Sequence, residues 1–245
     1  MLDQAIKKYL ERHGFERFTP KAVLFDMDGV LYDSMPHHDI AWQRSMREFG
    51  ITMPPMGAYQ YEGMRGQETI QRLALSQLHQ ELTEEEAQRM YDRKSAIFTE
   101  LGGAEKMRGI MELMHAMSVS GMTIGVVTGS GQRTLISKLE REFDGLIEGS
   151  HIVTSYDVKR GKPLPDPYVM GMRKCGVQPW EAIVVENAPL GVQAGVAAQI
   201  FTVAVNTGPL PDEMLSNEGA NVVLKDMIQF RQLWEEDFST YCQQS

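Results

Sequence analysis

The stretch Ala22-Val23-Leu24-Phe25-Asp26-Met27-Asp28-Gly29-Val30-Leu31-Tyr32-Asp33-Ser34 decides how this chain folds. Its first four residues are apolar, the pattern of a strand buried on both faces of a parallel sheet. The run ends in two acids one residue apart, then a glycine. On a continuing strand those acids would face opposite ways, because side chains alternate. A break at Asp28-Gly29, where glycine permits a tight turn, leaves both carboxylates at the C-terminal end of the strand. Open α/β sheets place their ligands at that end. Two acids there suit a hard cation such as Mg2+, and one of them can attack phosphorus to form an aspartyl-phosphate. The same residues also read as an ordinary acidic turn, since Asp-Gly is a common turn pair.

Outward from this stretch, apolar runs recur at residues 122–127, 152–154, 182–185, 200–205 and 221–224. Helical patterns separate them, over residues 110–117 and 133–142, after the loop Gly161–Pro167, and at the end, where Ile228, Leu233, Trp234 and Phe238 are spaced along a terminal helix. A short amphipathic helix carrying Ile6, Tyr9 and Leu10 precedes the first strand. Strands alternating with helices predict a doubly wound parallel sheet in an α/β fold.

No strand-like run occurs between residues 36 and 105. Ser34-Met35-Pro36 reads as a hinge, and a helix begins near His37 and stops at Gly50. Residues 51–105 read as helical throughout, with a capping box at Thr83-Glu84-Glu85-Glu86 and a return hinge at Gly102-Gly103. The expected organisation is an α/β core of residues 1–35 and 106–245, with a small all-helical cap of residues 36–105 over the site.

Composition narrows the function. The 33 acids against 24 bases give 245 residues a formal charge of −9, which argues against a nucleic-acid partner needing a basic face. It does not exclude a phosphorylated substrate, because a bound divalent metal reverses the local sign. No stretch reaches membrane-spanning length. Met1 to Phe18 carries Lys7, Lys8, Glu11, Arg12 and Glu16, unlike a signal peptide. The two cysteines, Cys175 and Cys242, read as reduced thiols of a cytoplasmic protein. No extended apolar surface pattern stands out, so a monomer is expected. The seventeen methionines read as core gap fillers.

Polar clusters end three of the strands, at residues 26–28, 128–130 and 186–187, and Lys162 lies in a loop. They converge if their strands are neighbours, as phosphoryl transfer requires. Taken singly, Thr128-Gly129 also reads as a helix cap, Lys162 as a solvated loop lysine, and Glu186 as a complement to a helix N-terminus. Together, Asp26-Met27-Asp28-Gly29-Val30-Leu31 and Asp33-Ser34 closely resemble the first motif of the haloacid dehalogenase (HAD) superfamily of phosphotransferases, and its other three motifs follow in order within residues 20–228. The resemblance implies that Asp26 is the nucleophile and Asp28 the general acid/base. It implies that Thr128, with Gly129 and Ser130, binds phosphoryl oxygens, and that Lys162 balances their charge. Glu186 and Asn187 would join Asp26 and Asp28 in holding Mg2+. The family more often has Asp where Asn187 stands, so the metal would be held with less charge.

Within the family, the helical cap resembles that of β-phosphoglucomutase and related small-molecule phosphatases, and Ser34, His38 and Trp42 match that branch. His38 matches a histidine near the acid/base, and Lys94 a cap lysine that meets the substrate. Each also has a plain structural reading, His38 on the cap helix and Lys94 at the surface. The substrate-contacting loop departs from the pattern: Tyr61-Glu62-Gly63-Met64-Arg65-Gly66 puts an acid where a base is expected and displaces Arg65 by one residue. Glu62 would repel a sugar-bound phosphate but add an oxygen ligand to Mg2+, or else merely cap the next helix. The resemblance therefore implies a Mg2+-dependent hydrolase of a small phosphorylated compound, with inorganic pyrophosphate a candidate. The alternatives are a β-phosphoglucomutase activity and a non-catalytic binding protein on the same fold.

Overall fold

In the computed structural model, which describes residues 2–130 and 135–242, six parallel strands form one sheet flanked by helices. Helix α1 (Leu2–His13) precedes β1 (Ala22–Phe25). Four helices follow: α2 (Met35–Glu48), α3 (Gly57–Gln60), α4 (Gly66–Leu78) and α5 (Glu84–Glu100). Alternation then sets in with α6 (Ile110–Val119), β2 (Thr123–Val127), α7 (Leu135–Glu142), β3 (Ile152–Val153), α8 (Asp166–Cys175) and β4 (Ala182–Glu186). It continues through α9 (Pro189–Ala197), β5 (Phe201–Val205), α10 (Asp212–Asn217), β6 (Val222–Leu224) and α11 (Met227–Leu233) to α12 (Ser239–Cys242). The start of the helix expected over 133–142 lies outside the described residues.

The strand order is β3-β2-β1-β4-β5-β6. Ala22 to Phe25 pair with Thr123 to Val126 on one side and with Ala182 to Val185 on the other. The chain lays down β1, β2 and β3 in one direction and then crosses over β1 to begin β4. That reversal opens the crevice in which doubly wound sheets bind ligands.

Alternation along β1 serves two cores. Val23 and Phe25 join Ile6 and Tyr9 of α1, Leu113 and Met114 of α6, and Phe230 of α11. Leu24 points the other way, to Tyr168 and Met172 of α8 and Ala194 of α9. All four β1 residues are buried, which is why an uninterrupted apolar run was needed there. Val23, Leu24 and Phe25 each contribute about 1.5–3 kcal/mol by leaving water.

Helices α2 to α5 pack around a cluster of their own, with Trp42, Met46, Ile70, Leu73 and Met90 at its centre. Two linkers tie this insert to the sheet. Asp33 N–H donates to Glu105 O (2.9 Å) and Met107 N–H to Leu31 O (2.8 Å), while Tyr32 and Lys106 form an antiparallel bridge. Thr83 and Glu86 make the expected capping box at the start of α5.

Two local expectations are corrected. Helix α2 starts at Met35 rather than near His37, because Pro36 falls in its first turn. The N–H that proline lacks has no helical partner there anyway, so Pro36 opens the helix instead of making a hinge. Residues 51–105 are not helical throughout; loops and turns occupy 51–56, 61–65 and 79–83. Pro54-Pro55 breaks the first of these, and Gly63 takes a positive φ of 88° in the second. No described helix is long and apolar enough to cross a membrane.

Candidate active site

Asp26 directly follows β1, and its N–H still pairs with Val185 O of β4 (3.0 Å). The chain then turns sharply: the amides of Leu31 and Tyr32 both return to Met27 O, at 2.9 and 3.1 Å. Gly29 makes this turn possible, with φ +81°, and a β-carbon there would lie 2.1 Å from Asn187 Nδ2. The turn thus brings Asp28 beside Asp26 and seats its backbone against Asn187.

Thr128 closes β2, its N–H on Val153 O (2.9 Å) and its Oγ1 accepting from Ser130 N–H (3.1 Å). Gly129 lies between them, while Gly131 and Gln132 fall outside the described residues. The loop before α8 delivers Lys162, which is buried and donates to Asp26 Oδ1, to Glu186 Oε1 (2.6 Å) and to Val127 O (3.3 Å). Burial alone would lower the pKa of this ammonium, but Asp26 and Glu186 reverse that and hold it above the ordinary lysine value. Neighbouring strands β2, β1 and β4 therefore bring together Thr128, Asp26, Asp28, Glu186 and Asn187 with Lys162.

Glu186 is fully engaged. Oε1 accepts from Lys162 and from the Tyr168 hydroxyl (2.6 Å), and Oε2 from the amides of Asn187 (3.1 Å) and Ala188 (3.4 Å). In this arrangement Glu186 is the counter-charge of Lys162. Helix α9 runs so close that a β-carbon on Gly191 would lie 2.0 Å from its carboxylate. Sequence reasoning missed Tyr168, which it read only as a position on the helix entered after the loop.

The fit to Mg2+ rests on two other atoms. Asp26 Oδ2 and Asn187 Oδ1 are buried acceptors without a hydrogen-bond partner, and such oxygens carry a desolvation cost until a donor or cation meets them. Burial, with repulsion from Glu186 and Glu62, drives the Asp26 carboxyl well above the usual range despite Lys162. The described residues hold no group of three or more His, Cys, Asp or Glu arranged for a metal. The donor set that fits is one carboxylate oxygen and one amide oxygen, both hard ligands.

On the insert side, Asp28 Oδ1 accepts from Ser34 Oγ (2.6 Å) and faces His38 Nε2 (3.2 Å). Lys94 Nζ meets the other ring nitrogen of His38, Nδ1, at 2.6 Å. Because an ammonium only donates, this contact puts the His38 proton on Nε2, toward Asp28. Lys94 is no surface lysine: it is buried, within 5.2–5.7 Å of the ring centroids of Trp42, Tyr91 and Phe98. Burial lowers its pKa to about 8 in spite of Glu62 and Asp28. Asp28 is half-buried, and although burial alone would raise it, His38 and the Ser34 hydroxyl outweigh that and bring its carboxyl to about 2.

The 61–65 loop sits directly on the catalytic side. A β-carbon on Gly63 would lie 3.0 Å from Lys162 Cδ. Glu62 is half-buried, makes no hydrogen bond among the described residues, and lies within the field of Asp28, His38, Lys94 and Lys162. Burial first, then repulsion from Asp28, raises its carboxyl above the usual range. Arg65 is not brought into the cluster. Its side chain is 53% exposed and its guanidinium turns toward Glu84 (3.4 Å).

A six-stranded parallel sheet carrying acids at the ends of β1 and β4, with a helical insert after β1, defines an α/β phosphotransferase architecture. The haloacid dehalogenase-like hydrolase family model matches residues 23–205, and the chain belongs to that family. Its relatives include hexitol phosphatase A of Escherichia coli, 32% identical over 76% of this chain and 83% of its own. Validoxylamine A 7'-phosphate phosphatase of Streptomyces hygroscopicus is 31% identical over 86% of this chain and 96% of its own. A solved structure from Bacteroides vulgatus, provisionally assigned as a β-phosphoglucomutase, superposes with a TM-score of 0.94 at 45% identity and covers 99% of this chain and 98% of its own. The chain is thus an enzyme with phosphohydrolase or phosphomutase activity.

Proposed function

We propose that this protein is a Mg2+-dependent phosphohydrolase that works through an aspartyl-phosphate on Asp26, with inorganic pyrophosphate as the substrate the site fits best. The observation that carries the substrate class is the insert loop, where Glu62 faces the cluster and Arg65 faces away. A mutase acting through a bisphosphate needs a base to grip the distal phosphate, and this loop offers an acid.

The carboxylate of Asp26 attacks phosphorus while Lys162 and the Thr128–Ser130 turn balance the charge on the phosphoryl oxygens. Bound through Asp26 and Asn187, Mg2+ would neutralise charge on the transferring group. Asp28, held beside Asp26 by the Gly29 turn and fixed by Ser34 and His38, would take a proton from the water that releases phosphate. A sugar alkoxide must be protonated as it leaves, whereas phosphate leaves readily as an anion. An anhydride therefore asks least of Asp28 as an acid. Residues 36–105 act as the cap that excludes bulk water, with Gly63 seated on Lys162.

The second reading is hydrolysis of a phosphorylated polyol or sugar, favoured by the names of the relatives. Phosphate release with Mg2+ from pyrophosphate, hexitol phosphates and hexose phosphates separates the two. A coupled assay for β-glucose-1-phosphate isomerisation, primed with the bisphosphate, runs beside it. Pyrophosphate is expected to be turned over fastest, Asp26→Asn to remove all turnover, and Glu62→Lys to shift preference toward sugar phosphates. Isomerisation without hydrolysis would overturn the proposal.

A further inference from the structure

Thr207 lies on the loop after β5, two strands away from β1, yet its hydroxyl donates to Gly29 O (2.6 Å). Gly29 belongs to the turn that carries Asp28. That turn is braced already, with Gly29 N–H on Tyr32 O (2.8 Å) and the Asn187 amide against its Cα. Gly208, the next residue of the loop, lies against the insert: a β-carbon on it would be 2.9 Å from Tyr59 Cδ1 of α3. The loop is itself anchored. Asn206 N–H donates to Leu224 O (2.7 Å), and its side-chain amide donates to Leu210 O (2.7 Å) and to Asp212. Two adjacent residues of one braced loop therefore touch the Asp28 turn and the insert.

The geometry points to Thr207 as a positioning residue that acts through Gly29 on Asp28, and to the Gly208–Tyr59 contact as what makes this positioning depend on the insert being seated. This rests on the phosphohydrolase reading, since Asp28 must reach the attacking water. A misplacement of a fraction of an ångström at a reacting group costs tenfold or more in rate, so one hydrogen bond to the turn backbone is enough to matter.

The test uses the full chain with Mg2+ and whichever phosphate substrate the wild type turns over. Thr207→Val is expected to lower kcat about tenfold with KM held within about twofold, and Thr207→Ser, which keeps the hydroxyl, to restore most of it. Combined with Gly208→Val, Thr207→Val should cost less than the two single effects multiplied, because both break one path. Wild-type kcat in Thr207→Val, or equal loss in the Val and Ser variants, overturns the assignment. Hydrogen exchange supplies a readout that needs no turnover. Gly208→Val alters only the side facing the insert, so several-fold faster exchange of the Gly29, Leu31 and Tyr32 amides supports the coupling, and unchanged exchange overturns it. A wild type that hydrolyses nothing overturns the functional reading alone, and exchange then decides the coupling by itself.

Discussion

Lys94 shows how far one residue's role depends on its surroundings. Three aromatic faces and one imidazole enclose it, so its charge is partly stabilised by the rings while burial draws its pKa from 10.5 to about 8. The folded value lies below the unfolded one. Below pH 8 the ammonium is present in both states and folding carries the full cost of burying it. Between pH 8 and 10.5 that cost fades, as the folded state sheds its proton first. The interval corresponds to at most about 3 kcal/mol, less what the aromatic contacts return. Lys94→Met is expected to melt higher than the wild type at pH 7, by an amount that shrinks toward pH 9.5, and to lose turnover at both. Thermal melts at the two pH values check this; an advantage that grows with pH contradicts it. Little of this environment was legible in the sequence. Lys94 stood in a helix among Tyr91, Phe98 and charged neighbours, and only packing of α5 on α2 decided that it faces inward.

At the scale of the element, α5 shows a helix specified locally and used globally. Its capping box was readable from four consecutive residues, because cap chemistry involves only a helix end. Thr83→Ala is expected to cost about 1 kcal/mol of stability and to leave kcat unchanged, since Lys94 lies eleven residues further on. Denaturant melts and initial rates check the two halves; a large loss of kcat would mean that fraying at the cap reaches Lys94. The strand ends were legible for a related reason. Apolar runs that stop abruptly at Asp26, Thr128 and Glu186 mark where buried strands meet a polar crevice. Pro36 misled because proline both stops helices and starts them, and its position within the first turn depends on where Ser34 turns toward Asp28.

At the scale of the molecule, the sheet and the helical insert each bury a cluster of their own and meet beside the site. The insert holds its own core, and its contacts with the sheet domain include His38 on Asp28, Tyr59 on Gly208, and Gly63 on Lys162. Gly63 is closely packed, with φ +88° and an added β-carbon lying 3.0 Å from Lys162 Cδ. Gly63→Val is expected to hold the insert off Lys162, lowering kcat about tenfold or more and raising KM together, as changes at closing elements do. Its melting temperature should fall only by what valine at a positive φ costs, about 1–3 kcal/mol, since both cores are untouched. Steady-state kinetics beside a thermal melt check this, and normal kinetics would show that the loop yields without opening the site.

The sequence by itself determined the sheet, its helical insert and the acids at the strand ends, because hydrophobic period and turn chemistry are local properties. It determined also that Glu62 stands in the loop where a base was expected. Only the tertiary structure decided which charges face one another. Glu186 became the partner of Lys162 and Tyr168, Arg65 turned to Glu84, and Thr207 reached Gly29 across two strands. Such pairings join residues up to 178 positions apart, and no local pattern encodes them. They are settled by strand order and by the need of each buried polar group for a partner.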